Sequence, residues 1–441
     1  MDSAAGRGGP ETWMLFSYFF NVDAKACSQH LDSRIPYMAS SGIKPVVLSG
    51  ICGERSKSGE HYRVSSVAPS GVRFELRYLK RRNRFFKLAA APLLVAILPL
   101  YLLEKMLINL ESEWSWFLPA FLRGLLLHRR FGFTLIYSTG GPPCAHLAAG
   151  ILARCIKRPW IAELQDPIVF TDWNRSGRAL KIHAWLERFI LKNASAVVFL
   201  TEGARERALA RNKVDGRKVH VIYPGACAAE APEATYRKKE FCRFSHFGSL
   251  AGSRNPEKFL EAISLLLDEH PDLVEKVRLE FYGAMDTPSR KAISRFKYRD
   301  IVADLGKVSW SEALKAMRET DVLVVIQNRD ELSYETIPSK FYEYLQAKRP
   351  ILGIVYKNPP LQEMLLSQGH FAAEADSPSQ ISEQAARILE DWGNSATQTF
   401  PESPYTVSEA TKQLLALCRE RGEMTQSTPR NSPSIVPRGG I

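Results

Sequence analysis

The segment Glu335-Thr-Ile-Pro-Ser-Lys-Phe-Tyr-Glu343 sets two carboxylates on either side of a proline and a Ser-Lys pair. Proline holds φ near the helical value and suits the first position of a helix. A helix is therefore predicted to begin at Ser339 and Lys340. The unpaired N–H groups of its first turn and its dipole form an anion site suited to a diphosphate. Glu343, just inside that helix, is set to accept hydrogen bonds from a ribose diol, and Glu335, in the preceding loop, to reach a sugar hydroxyl. A solvated helix glutamate and a surface lysine are the plain alternative for each residue alone. The spacing, together with the apolar run at 322–326 just before it, points to a ligand.

A second segment, His246-Phe-Gly-Ser-Leu-Ala-Gly-Ser-Arg-Asn-Pro-Glu-Lys258, leads from an apolar run into a helical pattern. Gly248 permits close backbone approach. Arg254 and Lys258 are cations able to neutralise a leaving diphosphate as its charge develops. Lys258 reads equally well as a helix-surface residue.

These loops need a frame that brings them together. Short apolar runs alternate with helical patterns in two series. The first has runs at 13–20, 45–48, 133–137, 160–164, 196–200 and 219–223, with helices at 145–155 and 179–191. The second has runs at 244–247, 279–282, 301–305, 322–326 and 351–355, with helices at 256–267, 311–318, 339–347 and 379–389. Such alternation implies parallel sheets with right-handed crossovers, and ligands of such sheets sit beyond the carboxyl ends of the strands. Two Rossmann-like α/β domains facing a central cleft are expected, at 13–232 and 240–400, joined by an Ala-, Glu- and Pro-rich linker near 226–240. A C-terminal helix at 401–420 is expected to pack back on the first domain, with 1–12 and 422–441 disordered. The chain's 441 residues suit two domains.

The hydrophobic share of 45% and charged share of 24% are ordinary for a globular enzyme. The net charge of +12 favours anionic partners without choosing among them. Seven cysteines without a C-x-x-C pair read as reduced thiols, with neither a disulfide framework nor a zinc site. The first residues lack the apolar core of a signal peptide.

The Glu-x7-Glu segment, continued by Tyr-Leu-Gln-Ala-Lys-Arg-Pro-Ile-Leu at 344–352, resembles the donor-binding motif of the retaining family 4 glycosyltransferases, and Ile-Pro-Ser-Lys-Phe-Tyr-Glu-Tyr-Leu resembles bacterial members that build surface polysaccharides. The resemblance spans residues 13–420 and implies the two-domain GT-B fold. It implies that Glu343 binds ribose, Glu335 the donor sugar, and the backbone at Ser339 and Lys340 the β-phosphate. Pro338 stands where the family usually has glycine, which removes one amide donor. Ser249 stands where its phosphate loop has arginine, which makes Arg254 the replacement and Lys258 the second choice. Tyr282, Gly283 and Val308 fall in loops that surround the base in the family, where uridine is the commonest. Tyr137-Ser-Thr-Gly-Gly-Pro-Pro-Cys-Ala-His146 and Trp160-Ile-Ala-Glu-Leu-Gln-Asp166-Pro resemble the polysaccharide subgroup. This implies a catalytic setting for Asp166 near the reacting carbon or the acceptor, and an acceptor or phosphate contact for His146, which also reads as a satisfied helix-start histidine. Glu163 and Gln165 depart from the subgroup's usual Asp and Arg, and residues 20–34 lack its glycines. The family's front-face mechanism needs no metal and no cofactor, and no Asp-x-Asp motif occurs.

One stretch belongs to neither sheet. Arg77, Lys80, Arg81, Arg82, Arg84 and Lys87 precede sixteen uncharged, mostly apolar residues at 88–103. At about 1.5 Å per residue these span about 24 Å, short of a bilayer core of about 30 Å, and Pro92 and Pro99 interrupt them. Cations beside an apolar run suit insertion into one leaflet of an anionic membrane, extended by Trp114, Trp116, Phe117 and Phe121. The alternative is a buried core helix with a solvated charge run. No recognition motif supports nucleic-acid binding. The expected activity is transfer from a nucleoside diphosphate-sugar, UDP-sugar by resemblance, to a lipid-linked glycan. The expected location is peripheral or monotopic, on the cytoplasmic face of the cell membrane. A sugar-nucleotide epimerase of the same fold and a non-catalytic membrane scaffold are the alternatives.

Overall fold

The computed structural model of the protein describes residues 11–22, 25–56, 59–82, 84–170, 177–227, 236–394 and 400–427. The expected disordered start, most of the linker and the last residues of the tail lie outside the described residues, as do Asp23 and Ala24 of the 20–34 loop.

Among the described residues, thirteen strands form two parallel sheets. The first contains β1 (Glu11–Phe16), β2 (Ile43–Ser49), β3 (Glu60–Arg63), β4 (Leu135–Gly140), β5 (Trp160–Leu164), β6 (Ala196–Phe199) and β7 (Val219–Val221), in the order β3-β2-β1-β4-β5-β6-β7. The second contains β8 (Cys242–Phe247), β9 (Val277–Tyr282), β10 (Val302–Gly306), β11 (Val322–Ile326), β12 (Ile351–Val355) and β13 (Phe371–Glu374), in the order β10-β9-β8-β11-β12-β13. The strand order reverses between β1 and β4 and again between β8 and β11. At such switch points successive connections leave on opposite faces and open a crevice beyond the strand ends.

Central strands β11 and β12 are buried along their whole length, as their unbroken apolar runs require, and β5 is buried likewise with Glu163 inside its run. β3 and β13 lie at sheet edges and are short. Helix Val407–Ser427 sets Ala410, Leu414, Leu415 and Cys418 into one cluster with Trp13, Leu15, Leu135 and Tyr137 of the first sheet. It runs past residue 422, where composition predicts a disordered tail; its apolar face is held against that sheet.

The basic and apolar insertion forms helices Pro69–Arg82, Arg84–Ala96 and Leu98–Leu107. The pair Ala90–Ala96 and Leu98–Leu107 bends by 46°, and among the described residues no single helix is long and apolar enough to cross a membrane. Pro99 sits in the first turn after the break, where its missing N–H costs nothing. The helix Leu98–Leu107 is turned inside out. Its buried residue is Glu104, which accepts from Ser70 N (2.7 Å) and Trp114 Nε1 (2.6 Å). Leu100, Leu102, Leu103, Met106 and Leu107 are exposed, with Met106 at 76%. These side chains do not form a core, so the buried-helix alternative does not hold for them.

Candidate functional site

Between the two sheets lies a cleft of about 880 Å³, lined from both domains. The loop after β8 and the segment after β11 supply Gly248, Arg254, Glu335, Ser339 and Lys340, and the loop after β5 supplies Asp166. The structure thus brings together six of the residues singled out from sequence.

Backbone contacts fix the second-domain loops. Gly248 N donates to Tyr282 O (2.8 Å) and Gly283 N to Gly306 O (2.6 Å). Gly283 has φ of 140°, and a Cβ there would lie 2.1 Å from Gly248 O. Glycine is therefore required for the loops after β8 and β9 to touch. Tyr282 stacks on Phe247 with centroids 4.3 Å apart. Neither Tyr282, Gly283 nor the exposed Val308 lines the cleft; the first two shape the loop that does.

The loop 248–256 is tied to the segment after β11 through Ser253, whose Oγ bonds Asp330 and accepts from Asn328 Nδ2 at 3.2 Å. Arg254 follows. Its Nε is buried with no hydrogen-bond partner, and burial lowers the pKa of the guanidinium. Arginine stays charged even so. Lys258 lies on helix Glu257–Glu269, pairs with Glu261 at 2.7 Å and is absent from the cleft wall.

Helix Ser339–Ala347 begins at Ser339, with Pro338 the residue before its first turn (φ −58°, ψ 128°) and not its first helical residue, and no side chain caps that end. Its first turn faces the cleft at Ser339 and Lys340. Glu343 opens instead onto an adjoining cavity of about 230 Å³ that shares Ala26, His30 and Ser339 with the cleft. Its carboxylate accepts from Trp310 Nε1 (3.1 Å) and pairs with Lys340 Nζ (2.6 Å). Trp310 is held by the capping box of Ser309 and Glu312 at the start of its helix.

Glu335 is buried, at 3% exposure. Its Oε1 accepts from Arg207 Nη1 (3.1 Å), while Oε2 accepts no hydrogen bond and stands 3.7 Å from Arg211. Both arginines belong to helix Glu202–Asn212 of the first domain. Burial raises the pKa of the carboxyl, and the two arginines oppose that shift. The contact is close: a Cβ at Gly203 would lie 2.0 Å from Tyr334 O.

On the first domain, Asp166 has surface open to the cleft yet sits deep between its walls, and this desolvation lifts its carboxyl above the ordinary range. Beneath it Gln165 Nε2 donates to Thr139 Oγ1 (2.8 Å), which donates to Glu163 Oε1 (2.8 Å). Glu163 is fully buried against Arg34, which also donates to Tyr137 OH at 3.1 Å. Burial opposes ionisation of Glu163, but Arg34 holds its carboxyl below the ordinary range. The sequence departures at 163 and 165 are therefore joined in one chain of hydrogen bonds at the end of β5.

His146 is buried behind this wall, with Nδ1 against Ser138 Oγ (2.9 Å), and does not line the cleft. His246, which the motif reading leaves without a role, does line it. Its Nδ1 lies 2.9 Å from Val324 O and its Nε2 has no partner. Lys25 also reaches the cleft, 2.9 Å from the Phe19 ring centroid. Neither residue carries a spacing that marks it.

Two parallel-sheet α/β domains facing one cleft define the GT-B architecture. Residues 37–225 match the family model described as a glycosyl transferase 4-like domain. Comparison with curated proteins returns no match. Among solved structures, the fold is similar to Anabaena HepE in complex with UDP and glucose (13% identity, TM-score 0.57, covering 95% of this chain and 99% of that one). It is similar to a UDP-forming trehalose-phosphate synthase from Burkholderia xenovorans (14%, 0.58, 96% and 98%). It is similar also to the lipopolysaccharide outer core galactosyltransferase WaaB (9%, 0.57, 93% and 99%). The likeness to these structures is one of fold, and the glycosyl transferase 4-like match falls within the first domain.

Proposed function

We propose that the protein is a retaining glycosyltransferase of bacterial surface-polysaccharide synthesis, moving a sugar from a UDP-sugar to a lipid-linked glycan. The observation that carries this reading is the convergence, in one cleft, of Arg254, whose buried Nε has no partner, and the uncapped helix start at Ser339 and Lys340. Together they form an anion site of the kind a departing diphosphate needs. Glu343, beside Trp310 in the adjoining cavity, holds the ribose. Oε2 of Glu335, which accepts no hydrogen bond within the protein, accepts from a sugar hydroxyl.

The acceptor hydroxyl attacks C1 on the face from which the diphosphate leaves. The C1–O bond to phosphate breaks as the bond to the acceptor oxygen forms, and the acceptor proton passes to a departing phosphate oxygen. Asp166 orients the acceptor hydroxyl or supports the positive charge that develops on the sugar. No metal ion or cofactor enters the scheme. The exposed leucines of helix Leu98–Leu107 and the basic run before them support a peripheral or monotopic position on the cytoplasmic face of the membrane.

The test is calorimetry with UDP, GDP and their sugars, followed by a donor panel with a membrane extract, reading glycolipid products by mass spectrometry. Binding and a sugar-extended glycolipid are expected. Absence of heat with every nucleotide favours a scaffold, and interconversion of the donor sugar without transfer favours an epimerase.

A further inference from the structure

A second cavity, of about 220 Å³, opens on the first domain beside the cleft. Its wall is almost wholly apolar and includes Trp114, Phe117, Leu147, Ile182 and Trp185. Glu111, Glu113, Pro142 and Pro143 line both this cavity and the cleft, so the two adjoin. On its outer side Trp185 is 56% exposed. Arg178, on the same helix as Trp185, donates to Leu107 O and ties the cavity wall to the end of the inside-out helix. The exposed leucines of that helix therefore lead to the cavity, and the cavity leads to the cleft.

We infer that this cavity seats the hydrocarbon chain of the acceptor next to its head group. The wall offers almost nothing to peptide or nucleobase polar groups, which would enter it unpaired. An α-helix about 10 Å across with its side chains does not fit such a volume, whereas an alkyl or isoprenoid chain does. The rim carries Glu111, paired with His183, and Glu113, both suited to accepting from hydroxyls. This inference rests on the lipid-acceptor reading above and adds the site.

The test uses the full chain in buffer without vesicles, with hexyl and dodecyl glucoside as probes below their micelle concentrations. Dodecyl glucoside is expected to bind at least about tenfold more tightly than hexyl, a difference that burial of about two of the added methylenes supplies. Leu147→Trp fills the cavity and is expected to remove that difference while leaving calorimetric UDP binding unchanged. Ile182→Phe, on the outer wall, serves as a second variant if Leu147→Trp does not fold by circular dichroism. Equal binding of the two glucosides, or undiminished dodecyl binding in a folded, UDP-binding variant, overturns the site and leaves the transferase reading intact. A dimer in light scattering that Leu147→Trp dissociates assigns the cavity to a second copy and overturns it as well. Failure of the parent to bind any nucleotide tells against the transferase and not against the cavity.

Discussion

Arg207 of the first domain and Glu335 of the second meet at 3.1 Å across the domain boundary. Arg207 also pairs with Glu331 at 2.9 Å and lies over the Tyr334 ring at 5.0 Å. Tyr334 OH in turn bonds Glu206. The carboxylate proposed to hold the donor sugar is therefore oriented by the other domain. Arg207→Ala removes a hydrogen-bonded cation from a buried carboxylate, at a cost of about 1–3 kcal/mol. The expected result is a fall of about tenfold or more in kcat/KM, with UDP affinity, set by Glu343 and Arg254, nearly unchanged. Steady-state kinetics with calorimetry checks both; unchanged turnover removes the cross-domain role.

Arg254 and Lys258 separate by the same reasoning. Arg254→Ala is expected to lower kcat by about a hundredfold, near the loss of about 2.7–4 kcal/mol seen when a transition-state donor is removed. Lys258→Ala breaks only an exposed pair with Glu261 and is expected to change rates little. Turnover is expected to be unaffected by EDTA. A loss restored by Mg²⁺ contradicts the scheme.

The buried histidines set the acid limit of stability. Burial lowers His146 and His246 to about 4, from 6.5 in the unfolded chain. Between those values the unfolded state binds more protons, so stability falls as pH drops from about 6.5 to about 4. Asp32 works in the opposite sense, since burial raises it from 3.8 to about 6 and its contribution is lost as pH rises through that window. Urea midpoints across pH 4–7 for the parent and His146→Gln are expected to show a shallower acid fall in the variant.

Exposed leucines of the inside-out helix are replaceable without unfolding. Leu100→Glu with Leu103→Glu is expected to move the protein from the membrane to the soluble fraction with little change in urea midpoint, since both side chains are exposed. By contrast Leu414→Ala, in the cluster under the first sheet, is expected to cost about 2–5 kcal/mol. Partitioning unchanged by the double substitution removes the membrane role of this face.

Much of this fold is legible in the sequence because central parallel strands are buried on both faces. The apolar runs at 160–164, 322–326 and 351–355 coincide with β5, β11 and β12. β3, Glu-His-Tyr-Arg, is an edge strand with no apolar run and gives no strand signal. Helix Glu202–Asn212 is polar along most of its length and gives no period to read. It carries Arg207, whose partner Glu335 lies 128 residues away. No local spacing records that pairing, nor the link of Glu163 to Gln165 through Thr139. The helix start at Ser339, by contrast, is a local matter and is read directly.

The glycine contact between the loops after β8 and β9 has a consequence for how such a protein changes over time. With Gly283 pressed against Gly248 and bonded to Gly306, these loops vary together or not at all. Change at this pocket is then reached more readily by exchanging single side chains on its wall, such as Trp310, than by remodelling the loops.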